Sequence, residues 1–198
     1  MKLLGFGSEA AIYENNSFII KRRIKKDYRI KEIDEKLRKN RSRAEFNIMR
    51  FLYESGLNVP KPIKYVESKK EIYMEKIDGK RLAESFSLED SKSIGKMIAD
   101  MHNLGVIHGD LTTANMIKKE GKVYLIDFGL SYYSLKDEDI ASDIFLFKNA
   151  LKSKHNEVYR EAYAMCLDAY KSQIRKEFKG IDTHLKDIEE RRRYNESY

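Results

Sequence analysis

Short apolar runs separated by turn formers fill the first twenty-odd positions. Lys2-Leu3-Leu4 leads into Gly5-Phe6-Gly7-Ser8-Glu9-Ala10, Ala11-Ile12-Tyr13 follows, and Glu14-Asn15-Asn16 separates these from Phe18-Ile19-Ile20-Lys21. The spacing predicts a β-hairpin with glycines at its start. A helical period takes over from about Ile33 to Ser55 and is stopped by Gly56, Pro60 and Pro62; proline cannot continue a helix. Tyr65 to Glu67 and Glu71 to Glu75 read as a second pair of strands.

Beyond residue 86 the pattern is mostly helical. Ser87-Leu88-Glu89-Asp90 predicts a helix start with Ser87 as cap, and Ile94, Met97, Ile98, Met101 and Leu104 then recur at helical spacing up to Gly105. Val106-Ile107-His108 enters a loop, and Lys122 to Ile126 reads as a strand that runs straight into Asp127-Phe128-Gly129. Ile140, Ile144, Phe147 and Leu151 form one later stripe, and Val158, Ala162, Met165 and Ala169 another. Strands with one helix, then mostly helices, predict an α+β architecture of two lobes. There are no internal repeats and no low-complexity tract.

Composition narrows the class. In 198 residues, 41% are hydrophobic and 36% charged, with two prolines, which suits a globular, helix-rich chain. No run of about 18 apolar residues is present and the N-terminus lacks a signal pattern, so a cytoplasmic protein without a membrane span is expected. The lone Cys166 excludes an intrachain disulfide framework and a cysteine-cluster metal site, and reads as a buried helix residue. The net charge of +7 is uneven: basic residues from Lys21 to Arg43 outnumber Asp27, Glu32, Asp34 and Glu35, and Arg191-Arg192-Arg193 forms a second knot. Each patch suits either a solvated face or a polyanion.

Phosphoryl transfer needs positioning and charge neutralisation round phosphate groups, and four features supply them in order. Gly5-x-Gly7-x-x-Ala10 can bring backbone N–H groups close to phosphate oxygens, with Ala10 where a third glycine is usual; glycine-containing hairpins are also common for other reasons. Lys21, ending an apolar strand, can reach the phosphates as a point charge. Glu45 is the candidate to hold it, although Ser42-Arg43-Ala44-Glu45 also reads as a capping box. In His108-Gly109-Asp110-Leu111-Thr112-Thr113-Ala114-Asn115, Asp110 can take a proton from an attacking hydroxyl or water, Asn115 can hold Mg²⁺, and His108 reads as structural. Asp127, directly after a strand, offers the hard oxygen that Mg²⁺ prefers. Ile72 to Gly79 reads as a hinge, with backbone groups near Glu75 to Ile77 for a base edge. The candidate nucleotide contacts are therefore Gly5, Phe6, Gly7, Ser8, Ala10, Ile12, Lys21, Glu45, Met74, Glu75 and Ile77.

In this order these residues resemble the protein-kinase superfamily. His108-Gly109-Asp110 replaces its usual His-Arg-Asp, and no Ala-Pro-Glu follows Gly129, so peptide docking and activation-loop control have no counterpart. Gly5-x-Gly7-Ser8-Glu9-Ala10, Lys21-Arg22-Arg23 to Tyr28-Arg29, Arg41 to Glu45, His108 to Asn115 and Ile126 to Ser131 are together similar to the small kinase of the KEOPS complex, called PRPK in animals and related to the BUD-type kinase of yeast and archaea. The resemblance implies a minimal two-lobed kinase-like fold: a β-rich N-lobe with one or two helices (1–75) and a reduced, mostly helical C-lobe (76–198). It implies ATP and Mg²⁺ as cofactors, and an atypical Ser/Thr kinase that autophosphorylates or acts as an ATPase, with Asp110 as base and Asn115 and Asp127 on the metal. It further implies support of N6-threonylcarbamoyl-adenosine formation in tRNA, beside a Kae/OSGEP-type threonylcarbamoyl transferase and a Cgi-type small subunit, with Arg191, Arg192 and Arg193 as tRNA contacts. The alternatives are a RIO-type kinase of ribosome assembly, against which Thr112-Thr113, the early start and the short C-lobe argue, and a nucleotide-switched scaffold without turnover. A chain that stands alone and one half of a longer fusion are both compatible with the start four residues before Gly5.

Overall fold

Five antiparallel strands open the chain in the computed structural model, which describes residues 2–7 and 9–196, with the backbone alone for residues 193–196. They are β1 (Lys2–Phe6), β2 (Ala10–Asn15), β3 (Phe18–Arg23), β4 (Pro62–Val66) and β5 (Glu71–Glu75), in the order β1-β2-β3-β5-β4. The turn between β2 and β3 uses Asn16 at φ 43°, a left-handed conformation that asparagine tolerates. Helix α1 (Lys31–Glu54) lays Ile48, Met49 and Leu52 into the core with Ile20 and Ile72 of the sheet. It ends as its sequence dictates: Gly56 at φ +86° donates to Tyr53 O, and Leu57 donates to Leu52 O, which closes the last turn. Strand β4 starts at Pro62, earlier than the apolar pattern shows. It lies at the sheet edge, where a missing N–H breaks no ladder, and a register shift follows before Lys64. Glu67 is not in the strand but opens a 3-10 turn, Glu67–Lys69. These elements and Asp127–Gly129 make one of two units, Met1–Asp78 with Asp127–Gly129.

The other unit comprises Gly79–Ile126 and Leu130–Tyr198. It holds a three-stranded sheet of β6 (Lys80–Arg81), β8 (Met116–Lys119) and β9 (Lys122–Leu125), and a pair of short strands, β7 (Val106–Ile107) with β10 (Tyr132–Tyr133). Five helices follow one another between and after them: α2 (Leu82–Ser85), α3 (Asp90–Asn103), α4 (Asp137–Lys154), α5 (Tyr159–Gln173) and α6 (Phe178–Glu196). Among the described residues no helix is long and apolar enough to cross a membrane.

Helix α3 begins at Asp90, later than the cap expected at Ser87. The Asp90 carboxylate reaches back to accept both the backbone N–H and the hydroxyl of Ser87, each at 2.9 Å, so Ser87 donates where a cap would accept. Gly105, at φ +72°, closes α3 as expected. The α4 stripe of Ile140, Ile144, Phe147 and Leu151 is buried throughout. In α5 the buried face is Ala162, Cys166, Ala169 and Tyr170, while Val158 and Met165 are half-buried, so the face is rotated by about a residue from the sequence stripe. Burial pushes the Cys166 thiol up to about 12, which leaves it a small apolar group without thiolate chemistry.

Helices α3 and α5 meet at Gly95, where a Cβ would lie 2.1 Å from the backbone oxygen of Cys166. Gly95→Ala therefore has to push the helices apart and is expected to cost about 1–3 kcal/mol, the range for overpacking. Urea unfolding checks this: the midpoint should fall with the slope unchanged.

Candidate active site

Alternate residues of a strand share a face, so Lys21 and Arg23 of β3 point the same way. Lys21 Nζ contacts Glu45 Oε1 at 2.6 Å and Asp127 Oδ1 at 2.5 Å. Glu45 is 3% exposed and lies deep inside α1, so the capping-box reading of Ser42 to Glu45 fails. The Ser42 hydroxyl is buried without a partner instead. The second Glu45 oxygen accepts from Arg23 at 2.9 Å. Burial alone would lower the Lys21 pKa, but the charges of Glu45 and Asp127 outweigh it and hold the ammonium above the ordinary lysine value.

Asp127 adopts φ +65°, a conformation unfavourable to a residue with a Cβ, and its carboxylate is 49% exposed. Gly129 N–H returns to Asp127 Oδ1 at 3.2 Å. A side chain at Gly129 would crowd Asp127 Oδ1, an Arg23 nitrogen and Lys21 Nζ, at 3.1, 3.2 and 3.4 Å. At the start of the sheet, Gly5 pairs with Ile12 and Phe6 with Ala11, and Ile12 lies opposite Lys21. No atom lies within 4 Å of a Cβ placed on Gly5, and only Ala10 O, at 3.5 Å, approaches one on Gly7. Packing within the protein thus does not demand either glycine. Phe6 is exposed and Ala10 buried; Ser8 lies outside the described residues. Met74 and Glu75 end β5, and Ile77 is buried. The N–H groups of Glu75 and Lys76 are taken by Lys61 O at 2.9 Å and Ser17 O at 3.3 Å.

Asp110 and Asn115 belong to the second unit. Asn115 Nδ2 donates to Asp110 O at 2.9 Å and to Asp110 Oδ2 at 2.8 Å. Asn115 closes a 3-10 turn, Thr113–Asn115, and its carbonyl accepts the N–H of Ile126, the residue before Asp127. Arg81 donates to Ala114 O at 2.6 Å. His108 is fully buried: Nδ1 accepts the Asp110 N–H at 3.3 Å, which makes Nε2 the donor to Ile126 O at 3.2 Å. It is a structural latch, as its sequence context suggested. Gly109 sits at φ +76°, and a Cβ there would meet Leu130 O at 2.5 Å. Those two facts account for glycine where most kinases carry arginine.

The sequence reading missed Asp143, which lies on the buried face of α4 beside Ile140 and Ile144. Its carboxylate accepts from His108 N at 2.7 Å, Gly109 N at 2.9 Å and His102 Nε2 at 3.2 Å. An acid within an apolar stripe was the available signal; the partners lie 34 to 41 residues away. Burial pushes the Asp143 pKa up, but the His102 hydrogen bond and charge, with the contribution of His108, hold it below the ordinary carboxylate value.

The basic segment is also less free than its sequence suggests. Arg38 pairs with Asp34, Arg41 with Glu9, and Lys39 and Arg43 with Glu67. In α6, Arg191 is exposed and Arg192 lies 5.2 Å over the Phe145 ring; nothing is described for the side chain of Arg193. Among the described residues no three His, Cys, Asp or Glu side chains come together to hold a metal.

The RIO domain family matches residues 11–139. Rio2 kinase from Chaetomium thermophilum, solved as an ADP/Mg²⁺-phosphoaspartate complex, shares the fold with a TM-score of 0.63 across 96% of this chain and 70% of that one, at 19% identity. The family match and the fold thus define a RIO domain with a protein-kinase-like fold. The KEOPS complex subunit Bud32 of Pyrococcus abyssi is 40% identical over 99% of this chain and 97% of its own length. A probable bifunctional tRNA threonylcarbamoyladenosine biosynthesis protein of Methanobrevibacter smithii is 36% identical over 97% of this chain, which spans 36% of that protein. Within the RIO class, the chain belongs to the Bud32 family of KEOPS complex subunits.

Asp143→Ala leaves three N–H donors without their acceptor, two of them buried, and is expected to cost about 3–5 kcal/mol. Because the Asp143 pKa is depressed in the folded state, its stabilisation is complete above the unfolded value, near pH 4, and is lost as pH falls below that. Urea unfolding between pH 7 and pH 3 should show a shallower acid loss in the variant than in the wild type.

Proposed function

We propose that the chain is an Mg-ATP-dependent phosphotransferase of the KEOPS complex, an atypical Ser/Thr kinase or ATPase that supports threonylcarbamoyl-adenosine formation in tRNA. The observation that carries it is a buried lysine held charged between Glu45 and Asp127. Such a group is costly to build for stability alone. It is the group required to neutralise the α- and β-phosphates of a nucleotide.

The remaining assignments follow from the same reading. Within Gly5 to Ala10 the Gly7 N–H is taken by Ala10 O at 2.9 Å, so it is the other backbone N–H groups of this turn that approach the phosphates, and the open space at Gly5 suits that approach. With the Glu75 and Lys76 N–H groups already used, the adenine edge falls to Ile77 N–H and neighbouring carbonyls, flanked by Met74, Phe6 and Ile12. Asp127 gives Mg²⁺ a carboxylate oxygen. Asn115, whose amide nitrogen is committed to Asp110, gives its amide oxygen. Bound by these residues, Mg²⁺ would supply charge neutralisation to the phosphates. Asp110, aimed by Asn115, takes the proton of the attacking group. Without an Ala-Pro-Glu segment, that group is water or a hydroxyl of the protein itself. The partners under this reading are a Kae/OSGEP-type threonylcarbamoyl transferase, a Cgi-type small subunit and tRNA, and the place of action is the cytoplasm.

ATP hydrolysis by the wild type, Asp110→Ala and Asp127→Ala, each with and without the transferase and tRNA, tests the assignment. Losses of about 100-fold or more are expected in both variants, and stimulation by partner plus tRNA supports the ATPase form. Equal rates in all three proteins contradict a catalytic role. In a second measurement, charge reversal at Arg191, Arg192 and Arg193 should flatten the salt dependence of tRNA affinity. An unchanged slope removes the tail from the tRNA contact.

A further inference from the structure

The side chains of Glu9 and Arg23, which the proposed reaction does not use, connect separate parts of the first unit. Glu9 follows the glycines between β1 and β2. Its backbone oxygen accepts the N–H of Ile24 at 3.0 Å, Oε2 accepts from Arg23 at 2.8 Å, and Oε1 accepts from Arg41 of α1 at 2.6 Å. This shoulder is therefore fastened both to the end of β3 and to the helix. Arg23, with its side chain 4% exposed, continues the chain of contacts: one terminal nitrogen binds Glu9 and the other binds Glu45 Oε2 at 2.9 Å and Gly129 O at 3.4 Å.

The geometry points to Glu9 and Arg23 as positioning residues, an ionic strap that sets the shoulder of the glycine turn relative to the Lys21–Glu45 pair and Gly129. Lys21 already serves two carboxylates. When it also serves phosphate, the Glu45 carboxylate keeps its direction because Arg23 holds the other oxygen. Lysine at position 23 could not do this. Its single ammonium has no planar fork to reach three acceptors in different directions.

This inference rests on the phosphotransferase reading, and steady-state kinetics of the full chain with Mg-ATP separates the two. Glu9→Gln and Arg23→Lys should each raise KM for ATP by about tenfold, with kcat changed less than threefold, since an unaligned turn weakens nucleotide binding before chemistry. The double variant should be little worse than either single, because both remove the same strap. Arg22→Gln, which breaks the Arg22–Glu71 pair on the same sheet, is the control for simple loss of stability and should leave KM unchanged. A wild-type KM in Glu9→Gln, additive effects in the double variant, or an equal rise in Arg22→Gln overturns the strap. If Arg23→Lys fails to fold, Glu9→Gln alone still decides. A wild type that neither binds nor turns over Mg-ATP overturns the phosphotransferase reading itself.

Discussion

A carboxylate withdrawn from water must be given back its hydrogen bonds, and each unit of this protein is arranged round one that has been. In the first unit it is Glu45, shared between Lys21 and Arg23. In the second it is Asp143, which gathers the His108 and Gly109 amides and the His102 ring. Neither arrangement tolerates the loss of one partner, because what remains is an uncompensated buried charge. The candidate functional groups are satellites of these centres. Lys21 is held charged by Glu45 with Asp127, and the segment carrying Asp110 is fixed at its root by Asp143.

Local rules carried the sequence reading a long way. The hairpin, α1 with its stop at Gly56, the end of α3 at Gly105 and the stripe on α4 all depend on neighbours within a few residues, and all were legible. Lys21, Asp110, Asn115 and Asp127 were singled out for a different reason: their order and spacing match what phosphate chemistry requires, and the fold sets Lys21 against Asp127 and Asn115 against Asp110. Glu45 marks the boundary between the two kinds of signal. Its local context reads equally as a helix cap, and only the strand that brings Lys21 to it decides. Asp143 carried only the signal of an acid within an apolar stripe, because its partners are distant in sequence. The true start of β4 at Pro62 was hidden because edge position is a property of the whole sheet. The Lys21 to Arg43 segment looked like a free basic surface because Glu9, Asp34 and Glu67, which neutralise much of it, are partners that only folding supplies.

Departures from the general kinase pattern have physical causes as well. Gly109 stands in the arginine position because the backbone there is left-handed and the Leu130 carbonyl occupies the space a side chain needs. An arginine at that place would have no room. What the first unit does hold is a lysine and an arginine ordered by one buried carboxylate, Glu45.

The central claim is that Asp127 engages Mg²⁺ on a nucleotide held by Lys21. ATP affinity of the full chain, titrated with and without Mg²⁺ in the wild type and in Asp127→Asn, tests it most directly. The expected result is a wild-type affinity that tightens about tenfold, near 1.4 kcal/mol, when Mg²⁺ is added, and a variant in which Mg²⁺ makes no difference. An Asp127→Asn protein that keeps the wild-type response to Mg²⁺ would contradict the claim.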